Sequence, residues 1–148
     1  MRLTLAQLNP VVGDIAGNTR RIAETLERTR AEHPDLVVFP ELFLVGYPPR
    51  DLLERVWFIR RVGEAIERVR TLSLEYPGTA ILFGAPVETG LPNGKGLYNA
   101  AVLVADGRIV ATHFKTLLPT YDVFDELRYF DPAPAVQGAG GAGGSDAG

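Results

Sequence analysis

Leu3-Thr4-Leu5-Ala6-Gln7-Leu8 alternates apolar with polar or small residues, the period of a half-buried strand, and Asn9-Pro10 stops it. After a turn at Gly13-Asp14 the spacing changes. Asn18 is placed to cap a helix, and Ile22, Ala23 and Leu26 recur on one face of it against arginines and glutamates, with Pro34 as the stop. Asp35-Leu36-Val37-Val38-Phe39 is short, β-branched and almost unbroken in its apolar character, which predicts a strand covered on both faces. A loop rich in aromatic residues, Gly and Pro runs from Leu42 to Pro49. Asp51 is then placed to cap a second helix, in which Leu52, Leu53, Val56, Ile59, Val62, Ile66 and Val69 share a face up to Tyr76-Pro77-Gly78. Thr79 to Val87 predicts a third strand. Leu97 to Val104 and Arg108 to Phe114 predict two more, joined by the hairpin dipeptide Asp106-Gly107. On the last strand Ile109, Ala111, His113 and Lys115 fall on one face.

Strand, helix, strand, helix and then three strands is an α/β order with an antiparallel addition. The 148 residues are the size of one domain. From Pro132 the composition turns to Pro, Ala, Gly, Ser and Asp, so the expected organisation is one folded unit over residues 1–131 and a disordered tail over 132–148.

Charge and composition narrow the chemistry. At 46% hydrophobic and 22% charged the chain is globular in type, and a net charge of −3 gives no electrostatic case for a nucleic-acid partner. No apolar run approaches the ~18 residues that span a bilayer, and the N-terminus has no signal-peptide core. A soluble cytoplasmic protein without a membrane partner is the expectation. There is no cysteine, which excludes disulfides, thiolate metal sites and a thiol nucleophile within these residues. No metal site and no phosphate-binding glycine motif is expected.

Charged groups placed where apolar strands end are the candidates for chemistry. Glu41 follows the strand that ends near Phe39, Lys115 continues the fifth strand, and Glu126 lies in the polar, aromatic loop beyond it. Each alone is what a solvated strand terminus or loop carboxylate looks like. Together they are two carboxylates and a cation at strand mouths.

These residues sit in longer strings. Pro40-Glu41-Leu42, Lys115-Thr116-Leu117-Leu118-Pro119 and Glu126 resemble three parts of the carbon–nitrogen hydrolase (nitrilase) superfamily. Residues 41–53 and 118–130, with the start at Gln7 to Asp14 and Leu97-Tyr98-Asn99-Ala100-Ala101, are similar to the glutaminase domain of glutamine-dependent NAD+ synthetases. The resemblance covers Met1 to about Pro132. It implies an α-β-β-α layered sandwich of which these residues supply the N-terminal portion. It also implies a cysteine thiolate that attacks an amide, with Glu41 as general base, Lys115 as oxyanion stabiliser and Glu126 as the second glutamate. Tyr47, Tyr121 and Phe124 match aromatic positions around a glutamine pocket, and core packing is an equally good reading of them. The family's cysteine belongs several tens of residues beyond Glu126, so the chain is expected to be an N-terminal fragment, inactive alone. No cofactor is expected in it. The resemblance places ATP and deamido-NAD+ in a separate C-terminal synthetase domain and implies a homo-oligomer. Two other readings stand beside this one: part of a stand-alone amidase or carbamoylase, and a non-catalytic scaffold that keeps half of the fold.

Overall fold

In a computed structural model, which describes residues 1–122 and 124–134, five strands form one sheet in the order β1-β2-β3-β4-β5. β1 (Leu3–Leu5), β2 (Leu36–Val38) and β3 (Ala80–Glu88) are parallel; β4 (Leu97–Ala105) and β5 (Arg108–Phe114) add to them antiparallel. Helix α1 (Ile15–Thr29) links β1 to β2, and α2 (Val56–Leu72) links β2 to β3. Parallel crossovers are right-handed and the sheet grows in one direction, so both helices land on the same face. The element order is the one expected from the apolar spacing.

The helix-facing side is the core. Val37, Ile81, Phe83, Val102 and Val104 are fully or almost fully buried, with Ile22 and Leu26 of α1 and Phe58, Val62 and Val69 of α2. Each large apolar side chain buried here contributes roughly 1.5–3 kcal/mol. The opposite face is apolar but open. Leu3 and Leu5 are 47% and 69% exposed, and Leu36, Val38, Leu82, Ala101 and Leu103 are half-buried. The described residues are therefore one helix layer and one sheet layer, two of the four layers of the nitrilase-type sandwich. The expectation that β2 is covered on both faces is corrected: with both helices on one side, only Val37 is sealed, and its neighbours look outward.

Three local expectations change. Helix α1 begins earlier than Asn18: Gly13 turns at φ +81°, and the Asp14 carboxylate accepts from the Gly17 amide at 3.0 Å as the true cap. Asn18 lies inside the first turns, fully buried, and ties Val11 and Leu44 together through its side chain. Asp51 does not cap α2. Residues Arg50–Glu54 form a short 3-10 turn and Arg55 is extended, so the helix restarts at Val56 without a side-chain cap. Asp51 instead accepts from the Tyr129 hydroxyl at 2.7 Å. Finally, β1 and β2 are only three residues each, and the chain leaves β2 before Glu41.

Ala133 N–H donates to the Lys115 carbonyl at 3.1 Å, so the chain is still tied to the sheet there. The tail expected to be disordered lies, from residue 135 onward, outside the described residues.

Candidate active site

The open face of the sheet carries the charged groups. Gly84 of β3 points to this face, and a Cβ there would lie 2.2 Å from Leu42 N and 2.8 Å from Glu41 Cα. Only a residue without a side chain lets the Pro40–Leu42 segment cross β3 at that distance. Leu42 takes a left-handed φ of +51° to make the turn, and Leu42, Phe43, Leu44 and Val45, all fully buried, anchor it. Glu41 is thus held over the sheet by packing on either side of a close backbone crossing.

Lys115 arrives from the other direction. Its N–H donates to the Asn99 carbonyl at 2.8 Å, which continues the β4–β5 pairing by one residue and puts the Lys115 and Asn99 side chains on the same, open face. Glu126 comes from the loop beyond β5. Its N–H donates to the Pro119 carbonyl at 3.2 Å, and its own carbonyl accepts from Phe130 at 2.9 Å, with Phe130 buried as the anchor.

These three elements bring Glu41, Lys115 and Glu126 together. Lys115 Nζ donates to Glu41 Oε1 at 2.8 Å and to Glu126 Oε1 at 3.2 Å, and lies 3.1 Å from Glu126 Oε2 at ion-pair range but without hydrogen-bond geometry. Glu126 is 5% exposed, while the Lys115 and Glu41 side chains keep 31% and 49%. Burial acts to lower the Lys115 pKa, but the hydrogen bonds it donates to Glu41 and Glu126, with the charges of those carboxylates, outweigh it and hold the ammonium above the usual lysine range. The cation is locked in its charged form between two carboxylates.

Tyr47 donates its hydroxyl to Glu126 Oε1 at 3.3 Å. Burial, the Glu126 charge and that hydrogen bond together push the phenol up to about 12, so it remains a donor. Tyr47, Phe124 and Tyr121 form one run of rings beside the carboxylate, with centroids 6.1 Å and 5.5 Å apart. Tyr121 is 65% exposed, so its ring is not core packing. His113 lines the same depression as Glu41, Asn99 and Lys115, a space of about 520 Å³ floored by Leu82 and Ala101. Among the described residues no group of three or more His, Asp or Glu side chains is arranged to hold a metal.

Two members of the site were not anticipated. Asn99 donates from Nδ2 to Glu41 Oε1 at 2.6 Å and is 3% exposed. The signal available was an amide between apolar neighbours in β4. Gly84 gave only the weaker signal of a glycine inside a strand.

The arrangement presents a carboxylate, a fixed cation and a second, buried carboxylate at the edge of an open cavity. Residues 2–144 match the family described as carbon-nitrogen hydrolase. A glutamine-dependent NAD(+) synthetase of Thermotoga maritima is 42% identical over 132 residues, 89% of this chain and 22% of that protein. One from Xanthomonas campestris is 41% identical over 137 residues, 90% of this chain and 23% of that protein. Among solved structures, the glutamine-dependent NAD+ synthetase of Acinetobacter baumannii superposes with a TM-score of 0.75 at 32% identity, over 89% of this chain and 24% of that one. An amidase from Nesterenkonia sp. gives 0.77 at 26% identity, over 90% and 48%. A variant of that amidase carries the product of acrylamide addition at its active-site cysteine. The chain spans under a quarter of the length of the synthetases it matches.

Proposed function

The chain belongs to the carbon-nitrogen hydrolase family, and from that premise we propose that its residues form the acid–base and oxyanion half of a glutamine-hydrolysing site. The observation that carries this reading is the Lys115 ammonium gripped by Glu41 and Glu126 on the open sheet face. Glu41, the more exposed carboxylate, takes the proton of an attacking thiol. The sulfur adds to the side-chain amide carbon of glutamine, and the negative charge that forms on oxygen faces Lys115, whose fixed positive charge favours it over the neutral carbonyl. Glu41 returns its proton to nitrogen, the C–N bond breaks, and ammonia leaves. Water, deprotonated by Glu41, then cleaves the thioester to give glutamate and the free thiol. Glu126 touches the lysine from the buried side, and its role is to keep the ammonium aimed and ionised. Tyr47, Tyr121 and Phe124 line the approach of the substrate.

The thiol comes from outside these 148 residues, since none of them is a cysteine. Glutamine is the preferred amide because the synthetases share 41–42% identity with this chain, against 26% for the amidase. In the whole protein the ammonia serves a separate synthetase unit that adenylates deamido-NAD+ with ATP. Assembly as a homo-oligomer in the cytoplasm rests on the same resemblance. No cofactor is assigned to this chain.

The test has two arms. Glutamine titrated into the isotope-labelled chain is expected to shift the Lys115 side-chain resonance and the rings of Tyr47, Tyr121 and Phe124 more than butyramide does. An equal response to both favours a general amidase, and no response to either overturns the site and leaves a scaffold. Ammonia release from glutamine by the purified chain is expected at buffer level. Turnover above it that disappears in a Glu41→Ala, Lys115→Ala double variant would refute the need for an external thiol.

A further inference from the structure

We infer that Asn99 is a positioning residue for Glu41: together with Lys115 its amide holds one carboxylate oxygen, Oε1, and so leaves the other, Oε2, as the oxygen that accepts the proton. This inference rests on the general-base reading of Glu41 given above and adds to it which oxygen does the work and what aims it.

Two donors converge on one atom. Asn99 Nδ2 lies 2.6 Å from Glu41 Oε1, and Lys115 Nζ lies 2.8 Å from the same oxygen. No described residue donates to Oε2. A carboxylate accepts only, so the atom of Asn99 that faces it is the NH2 group and not the carbonyl. Glu41 opens a turn and is not itself in a strand, and its side chain is 49% exposed. Without a second tether, a single bond to the flexible lysine chain would leave the carboxylate free to turn about its own axis. Asn99 supplies that tether from β4, the strand next to the one Glu41 crosses, and its own backbone carbonyl holds Lys115 N–H at 2.8 Å.

The position argues in the same direction. Asn99 is 3% exposed in a strand whose neighbours Leu97, Ala100 and Val102 are buried apolar residues. A buried amide is unfavourable unless its donors are used. An apolar side chain would suit β4 better, and the donor to Glu41 is what the amide adds. A proton acceptor with one oxygen pinned presents its remaining lone pairs in one direction, and general-base catalysis depends first on that geometry.

The chain lets this be read without turnover, because Lys115 and Lys95 are its only lysines. The Lys115 ammonium is followed by NMR through its pH titration, with Lys95 as reference in the same spectrum. The titratable groups around it are Glu41 and Glu126 in contact, Tyr47 beside Glu126, and His113 in the same depression. Glu41→Gln is expected to lower the Lys115 midpoint, because a partner that raises it is lost. Asn99→Leu, which keeps the branched shape and removes the donor, is expected to lower it by part of that amount, since an untethered Glu41 spends less time on the lysine. Asn99→Ala is measured alongside, so that the result does not depend on how leucine packs, and preserved amide dispersion confirms the fold. In the Glu41→Gln background neither Asn99 substitution is expected to move Lys115 further. If Glu41→Gln moves Lys115 and the Asn99 variants do not, or if the two effects simply add, the positioning role is overturned while the catalytic cluster stands. If Glu41→Gln itself moves nothing, the cluster fails, and the proposed function with it.

Discussion

Replacing Lys115 by methionine keeps most of the unbranched side chain and removes its charge, and the structure says where the loss falls. The pair with Glu41 is half-solvated on the carboxylate side, at 49% exposure, and pairs of that kind contribute about 0–1 kcal/mol. The pair with Glu126 is different. That carboxylate is 5% exposed, and with Lys115 gone its remaining donor is the Tyr47 hydroxyl at 3.3 Å. Stranding one member of a buried pair costs roughly 3–5 kcal/mol. The lysine side chain is 31% exposed, so water reaches part of the site and the loss falls at or somewhat below the lower end of that range. A loss of about 2–3 kcal/mol is expected, large against the roughly 5–15 kcal/mol of an ordinary domain. At a urea slope of about 1–2 kcal/mol/M this moves the midpoint by roughly 1–3 M. The control is the double variant Lys115→Met, Glu126→Gln, which removes the stranded charge with its partner and is expected to recover more than half of the loss. Equal destabilisation of the single and double variants would show that the methionine harms packing and that no buried charge is stranded, and the electrostatic account would be wrong.

Raised pKa values set the alkaline limit. Lys115 lies above its ordinary 10.5, and Tyr47 is raised from 10.0 to about 12, so both contribute stability that is complete below the unfolded values and lost as pH climbs through the folded ones. Urea midpoints are expected to fall from about pH 10 upward, and less steeply in a Lys115→Met, Tyr47→Phe variant; an identical slope would contradict the assignment. Gly84→Ala puts a Cβ 2.2 Å from a backbone nitrogen that cannot yield, so a loss at or beyond the upper end of the roughly 1–3 kcal/mol of overpacking is expected in urea melts, together with weakened Lys115–Glu41 contact by NMR. The open sheet face predicts concentration-dependent association in analytical ultracentrifugation and a marginal, broad melt, both reduced by Leu5→Lys at a side chain 69% exposed; a monodisperse wild-type monomer with a sharp melt would count against that face being exposed apolar surface.

What could be read from the sequence was what is local. The period of Ile22 and Leu26, of Val62, Ile66 and Val69, and of the strands around Asp106-Gly107 is set by neighbours a few residues away, and the elements appeared where those patterns placed them. The caps failed because two residues of the right type competed. Asp14 and Asn18 both suit a helix start, and Gly13 at φ +81° decided for the first. The break at Arg55 failed because the apolar period of Leu52 and Leu53 runs straight through it. At the site, Glu41 and Lys115 were visible as charges at the ends of apolar strands. Gly84 and Asn99 were not, because what makes them matter is a chain crossing more than forty residues away from either in sequence. The polar amide in β4 is a local inconsistency of the kind that functional sites show, and it is a stronger clue than the glycine inside β3.

The same division runs through the chemistry. Every group in the described cluster handles charge or protons, and none of them is fitted to form the covalent bond. Lys115 has no lone pair to offer while Glu41 and Glu126 hold it ionised. Thr116, Thr120 and Tyr121 carry hydroxyls in the segment that follows Lys115, but an alcohol is far less acidic than a thiol and is hard for a carboxylate to activate. In the proposed reaction, Glu41 as base and Lys115 as fixed cation serve a nucleophile that arrives over the open face. That face is lined by Leu82, Ala101 and Leu103, so whatever brings the nucleophile there also excludes water from the lysine, and the favourable pull of Lys115 on a developing oxyanion grows as the water leaves. The apolar surface expected to drive association of the isolated chain is thus the same surface that the proposed reaction would need covered.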